Sequence, residues 1–118
     1  MGRRILALAG LVAVLPLGGC KSPYVNTTIQ NDTGAAVTLV EVDYPSASFG
    51  RDSLAAGAAY PYRFKIIGSG ATKVSWTDAQ HKQHTGNGPD LHEGQHGFLT
   101  ITLTPTSAQW AAQLTPTD

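Results

Sequence analysis

Two stretches of this chain alternate apolar and polar side chains so strictly that they restrict the fold to β-structure. In segment 60–66 every second side chain is large and apolar, and Arg63 and Lys65 lie between them. In segment 99–104 every second side chain is Leu or Ile, and threonines fill the positions between. Successive side chains of a strand point to opposite faces, so each stretch predicts a strand with one face in a core and the other in water.

Less regular patterns between turn-forming residues predict further strands. The segments that alternate in this way are 25–30, 72–77 and, more weakly, 82–85. Segment 37–44 changes the phase of its alternation between Leu39 and Val40, which indicates a β-bulge or a strand buried on both faces. Segment 107–114 fits either an edge strand or one helical turn.

Together these patterns predict an all-β fold, an antiparallel sandwich of about six to seven strands. Its expected aromatic core is made of Tyr60, Tyr62, Phe64 and Trp76. Phe49 and Trp110 lie outside clean alternation, so each either packs at a sheet edge or is exposed to a partner.

A different pattern occupies the N-terminus. Arg3 and Arg4 precede 13 apolar or small residues, 5–17, and small residues follow. A basic start, a short apolar run and small residues before a cleavage position are typical of a secretory signal peptide. A membrane-spanning helix needs roughly 20 apolar residues, and Pro16 disfavours an unbroken helix. Residues 1–19 are therefore predicted to be a signal helix that is cleaved.

The end of this segment, Leu17-Gly18-Gly19-Cys20, resembles the lipobox of bacterial lipoproteins. The resemblance covers about the first 20 residues. It implies that Cys20 becomes the first mature residue, carries a thioether-linked diacylglycerol and is acylated on its amino group. Because Lys21 and not Asp follows the cysteine, the family rule favours the periplasmic face of the outer membrane if the bacterium is Gram-negative. The alternative from the residues alone is an ordinary secretory signal with an incidental free thiol.

The predicted mature protein begins with Cys20 and a short tether, 20–23, followed by the sandwich domain, 24–114, and a disordered tail, 115–118. Loss of Arg3 and Arg4 leaves six basic and eight acidic side chains, a net charge of −2 with neutral histidines. A chain without a basic stripe is not expected to bind nucleic acid. With one cysteine, which lipid would occupy, the domain has no disulfide and depends on its hydrophobic core.

Four histidines lie within 16 residues, at His81, His84, His92 and His96. Imidazole is a common ligand of Zn²⁺ and Cu²⁺, so a periplasmic metal-binding protein is one hypothesis. On a strand, however, His92 and His96 would lie about 13 Å apart, and His81 and His84 would point to opposite faces. The simpler interpretation is a polar loop with exposed imidazoles and no cofactor.

The sequence predicts no enzyme. Its serines lack a Gly-x-Ser-x-Gly nucleophile elbow, and Gly68-Ser69-Gly70 fits a hairpin turn. The first strand, the Leu-x-x-Gly loop at Leu54, the aromatic strand and the strand with Trp76 resemble small immunoglobulin-like domains of bacterial envelope proteins. That resemblance implies a fold. The resulting hypothesis is a membrane-anchored, non-enzymatic binding or structural module, with an envelope protein as partner and no identified small-molecule substrate.

Overall fold

The computed structural model describes residues 24–116. The predicted signal, Cys20, the tether and the last two residues of the chain lie outside that range. Between residues 24 and 116 every regular element is a β-strand. The strands are β1 (Tyr24–Asn31), β2 (Val37–Tyr44), β3 (Ala47–Leu54), β4 (Ala59–Lys65), β5 (Lys73–Thr77), β6 (Gln83–Asn87), β7 (His96–Leu103) and β8 (Ala108–Thr115).

These strands form two four-stranded sheets, in the orders β4-β1-β7-β8 and β3-β2-β5-β6. The predicted all-β sandwich is confirmed. In an immunoglobulin-like sandwich, strands C′, C, F and G are neighbours in one sheet and B and E in the other. The order β3-β2-β5-β6 corresponds to the first set and β4-β1 to the pair E and B, whereas β7 lies beside β1 where strand A would be but runs parallel to it.

The structure has eight strands where six to seven were expected, because β3 gives a poor sequence signal. Only Phe49 and Leu54 of its eight residues are buried. Segment 107–114, for which two conformations were considered, is the edge strand β8. That strand ends at Thr115, one residue beyond the predicted limit of the domain.

Five of the six strand pairings in the described chain are antiparallel, and the sixth, between β1 and β7, is parallel. Hairpins enforce antiparallel neighbours, whereas a parallel neighbour needs a long connection. The chain between β1 and β7 provides one, since residues 32–95 pass through the five strands β2 to β6 before β7 begins. Alternation alone does not reveal strand direction, which is why the sequence did not predict this pair.

The core lies between the two sheets and contains 15 buried hydrophobic residues. Phe64 and Trp76 belong to it as expected, but Tyr60 is half-buried and Tyr62 is 36 % exposed. Phe49 is buried and stacks on Tyr62, with ring centroids 4.0 Å apart. Trp110 is half-buried against the core. The aromatic rings of Phe49 on β3 and of Tyr60, Tyr62 and Phe64 on β4 therefore fill the gap between these two edge strands.

The change of phase in β2 is a bulge. The pairing of β2 with β5 shifts between Thr38 and Glu41, and Leu39 adopts a positive φ of 50° with 65 % of its surface exposed. Gly50 lies opposite, and a Cβ there would stand 2.4 Å from the carbonyl oxygen of Val40. A side chain at Gly50 would thus collide with the bulged backbone.

Asn31 is the fully buried polar residue that ties the sheets together at the end of β1. Its Nδ2 donates to the carbonyls of Ala35, Leu54 and Ala55 at 2.9–3.1 Å. Its Oδ1 accepts from the backbone N–H and the hydroxyl of Thr33. One amide thus satisfies the turn after β1 and the end of β3.

We expect Asn31→Ala to lower the free energy of unfolding by about 3 kcal/mol, because it leaves buried carbonyls without a donor. Asn26→Ala, an exposed asparagine on the same strand, is the matched control and should change stability little. Urea unfolding of both variants tests this. Equal losses of unfolding free energy would show that the buried amide contributes no more to stability than the exposed one.

Candidate functional site

The four histidines lie at two different ends of the sandwich. His81 and His84 are at the end where β1 finishes, because β5 reaches that end at Thr77 and the turn to β6 follows. His92 and His96 are at the end where β1 begins, since Gly97 is the register partner of Val25. The structure therefore does not bring the four imidazoles together.

His84 is held by two neighbours. It faces inward from β6 opposite Trp76 and stacks on that indole, with ring centroids 5.1 Å apart and planes inclined by 15°. Its Nε2 lies 2.8 Å from Oδ2 of Asp78. Oδ1 of the same carboxylate accepts the backbone N–H groups of Gln80 and Lys82, both at 2.9 Å. These contacts close the β5–β6 hairpin.

Hydrogen bonds from His84 first, and then from the backbone of Lys82, hold the pKa of Asp78 below its ordinary value. The carboxylate is therefore ionised throughout the neutral range, and its lone pairs are used by the turn and the imidazole. His81, whose φ is 65°, is exposed in that turn and donates its N–H to the carbonyl of Asp78. In this arrangement the Asp78 carboxylate stabilises the turn of the hairpin and holds the His84 imidazole in one orientation.

His92 and His96 lie on either side of a tight turn. The N–H of His92 donates to Oε1 of Gln95 at 2.8 Å, and His96 begins β7 opposite Thr115. Among residues 24–116, no group of three or more His, Cys, Asp or Glu side chains is placed to hold a metal ion. The zinc or copper(II) hypothesis stays a prediction with no contact among the four histidines to support it.

The structure shows a surface that the sequence patterns did not single out. Phe98 points outward from β7 and is 60 % exposed, in register with Asn26 of β1 and, one strand further, Arg63 of β4. The Arg63 guanidinium stands 4.4 Å from the ring centroid of Tyr24. We call the outward-facing Tyr24, Arg63, Lys65 and Phe98 the Phe98 patch.

Ile67, two residues after Lys65, is 58 % exposed at the same end of the molecule. The sequence does contain a signal for Phe98. Alternation places Leu99 and its apolar partners in β7 on the inner face, so Phe98 is a large apolar side chain at an outward position. A large aromatic residue at an outward position of a strand is unusual enough to indicate a contact surface. None of the residues described by the structure forms a helix long and apolar enough to span a membrane.

The low pKa of Asp78 gives a pH dependence with a defined sign. A carboxylate whose pKa is lower in the folded than in the unfolded state stabilises the fold above the unfolded value of about 4, and this contribution disappears as pH falls through the folded pKa. We expect acidification from neutral pH to pH 2 to reduce the urea midpoint of the wild type more than that of Asp78→Asn.

Asp52→Asn, which removes an exposed carboxylate of β3, controls for the change in net charge. Parallel acid profiles for the wild type and Asp78→Asn would contradict the assignment.

Comparison with known proteins adds the fold alone. No family model matches this chain, and no curated protein matches it. A solved structure described as the NMR structure of a protein from Eubacterium rectale is similar in fold, with a TM-score of 0.56 over 79 % of this chain and 93 % of that one. The two sequences are 14 % identical, so the likeness extends to the architecture and no further.

Proposed function

We propose that the protein is a lipid-anchored lipoprotein of a bacterial envelope whose β-sandwich is a non-enzymatic interaction module lying against the membrane. The observation that carries the proposal is the Phe98 patch. It combines exposed aromatic rings with cationic groups, the chemistry suited to the boundary between acyl chains and anionic headgroups.

The position of the patch agrees with lipid attachment at Cys20. Tyr24 begins β1 at that end of the sandwich, and three residues separate it from Cys20. Four extended steps reach about 14 Å at most. A diacylglyceryl group on Cys20 would therefore keep Tyr24, Arg63 and Phe98 within one layer of headgroups. Each acylated chain adds about 0.8 kcal/mol per buried CH₂, and the patch adds a second, weaker contact.

This contact would orient the domain. A tether of three residues lets the sandwich tilt, whereas a bilayer contact through the outer face of β4-β1-β7-β8 selects one orientation. The opposite sheet then faces away from the membrane and the lateral edges run alongside it, where envelope proteins can reach them. A binding module with a fixed orientation loses less rotational freedom when its partner docks.

Lipid attachment has a direct test. In a bacterial host grown with radiolabelled palmitate, the full-length chain should carry label and sediment with membranes, while Cys20→Ser should lose the label. Lys21→Ser, next to the modified position, is the control and should keep it. Label retained by Cys20→Ser would show that the lipid is absent from this residue.

The patch can be tested without the lipid, because the whole core lies within 24–115 and a fragment 21–118 retains it. We expect this fragment to float with vesicles of phosphatidylcholine and phosphatidylglycerol. Phe98→Asn should lower the partition coefficient about tenfold, since it removes part of the roughly 1.5–3 kcal/mol available from burying a Phe side chain.

Leu39→Asn is the matched control. Leu39 is exposed to a similar extent, 65 % against 60 % for Phe98, but lies in the other sheet, and asparagine tolerates its positive φ. Equal losses in the two variants, or wild-type fragment that stays out of the vesicle fraction, would overturn membrane contact through the patch. Thermal unfolding of each variant confirms that it is folded.

A further inference from the structure

The described sheets have four lateral edges, and three of them are ill-suited to pair with another strand. Charged side chains, proline and short length are the usual protections of an exposed edge. Strand β3 carries Arg51 and Asp52, and β6 has only five residues. Strand β4 has Arg63, Lys65 and, in its middle, Pro61.

The backbone register shows that Pro61 stands where protection is needed. Asn31 donates its N–H to the carbonyl of Ala58, so alternate residues of β4 starting with Ala58 bond to β1. Pro61 has the other parity and points its backbone to the free edge, where it offers no N–H.

Strand β8 has none of these protections. Its sequence, Ala-Gln-Trp-Ala-Ala-Gln-Leu-Thr, is eight residues long and contains no charge and no proline. Thr104 donates its N–H to Ser107 across the hairpin, and the pairing with β7 continues in register. Odd-numbered residues of β8 therefore bond to β7. The even-numbered residues direct their N–H and C=O groups to the free edge.

We propose that this edge pairs with β8 of a second copy, in antiparallel orientation, about a two-fold axis at Ala111. In that register the free N–H and C=O groups of Trp110 bond to those of the partner's Ala112, and those of Ala108 to the partner's Leu114. A large side chain then meets a small one at each of these positions. On the outer face Gln109 lies opposite the partner's Gln113, and amide side chains hydrogen-bond to each other.

Other registers fit less well. Moving the axis to Trp110 or Ala112 leaves fewer free-edge groups paired and places two indoles, or an indole and a leucine, opposite each other. Gly86 of β6 and Gly88 just after it lie against Ala108 and Trp110, so the inner side of β8 is occupied by its own domain. The edge, in the plane of the sheet, remains open, and Ala111, Ala112 and Gln113 are exposed.

The symmetry agrees with the proposed membrane contact, on which it does not depend. A two-fold axis that joins antiparallel edges is perpendicular to the sheet, so it keeps both outer faces on one side. Both Phe98 patches would then face the same plane. Two anchored copies also meet at a raised effective concentration, which strengthens weak pairing.

Fragment 21–118 lacks Cys20, so any cysteine introduced into it is its only one. The expected result is that Ala111→Cys forms a disulfide-linked dimer under mild oxidation, because residues opposite each other in the close pairs of an antiparallel ladder have Cα atoms about 4.5 Å apart, within disulfide range. Gln109→Cys, on the same face of the same strand, should form no disulfide-linked dimer, since its sulfur would face Gln113 of the second copy.

Sedimentation equilibrium of the fragment should show a concentration-dependent dimer that Ala111→Lys reduces at least tenfold in affinity, because it opposes two ammonium groups at the axis. Thr100→Lys, at the register partner of Ala111 on β7, should dimerise like wild type. A fragment that is monomeric at all concentrations, equal cross-linking at 109 and 111, or equal loss in both lysine variants would overturn the proposal. Vesicle flotation and palmitate labelling are independent of these outcomes.

Discussion

The hydrogen bonds of the Asn31 side chain hold the architecture together at one end. Strand β1 pairs with an antiparallel neighbour, β4, and a parallel neighbour, β7, and Asn31 ends it. From there a single buried amide reaches the last residue of β3 and the loop beyond it. A hydrophobic side chain could fill the same space, but it could not donate the two N–H groups that these carbonyls share. The sheets are packed by apolar side chains, and this polar contact links them at the end of β1.

Patterns of period two predicted the parts of the sandwich that have one dry and one wet face. Strands β1, β2, β5 and β7 are of this kind, and Trp76 lies on the dry face of β5. Strand β3 was not predicted because six of its eight residues are exposed, and the alternation is lost at its charged centre. Tyr62 alternates correctly but lies at the rim between β3 and β4, where facing inward no longer means being buried. Position within the sheet is a property of topology, which local pattern does not contain.

The candidate sites also divide into features that the local sequence pattern predicts and features that only the topology creates. The histidines attracted interest as a cluster in sequence, but the β5–β6 hairpin and the long connection to β7 carry them to opposite ends of the domain. Phe98 became significant only when the parallel pairing of β7 with β1 placed it in one row with Arg63. Such a row joins residues 35 positions apart, and no spacing rule predicts it. For Cys20 the sequence alone supports an interpretation, since that residue lies outside the described structure.

The central position of β1 also has a mechanical meaning. A force that pulls on the chain before Tyr24, along the direction of the strand, would load the backbone bonds to β4 and β7 at the same time, since these bonds run across the strand. Bonds loaded together in shear resist far more than bonds peeled one by one from a free edge. By contrast, traction on the chain after Thr115 meets an outermost strand with one neighbour. The domain is thus built to be held by its first strand.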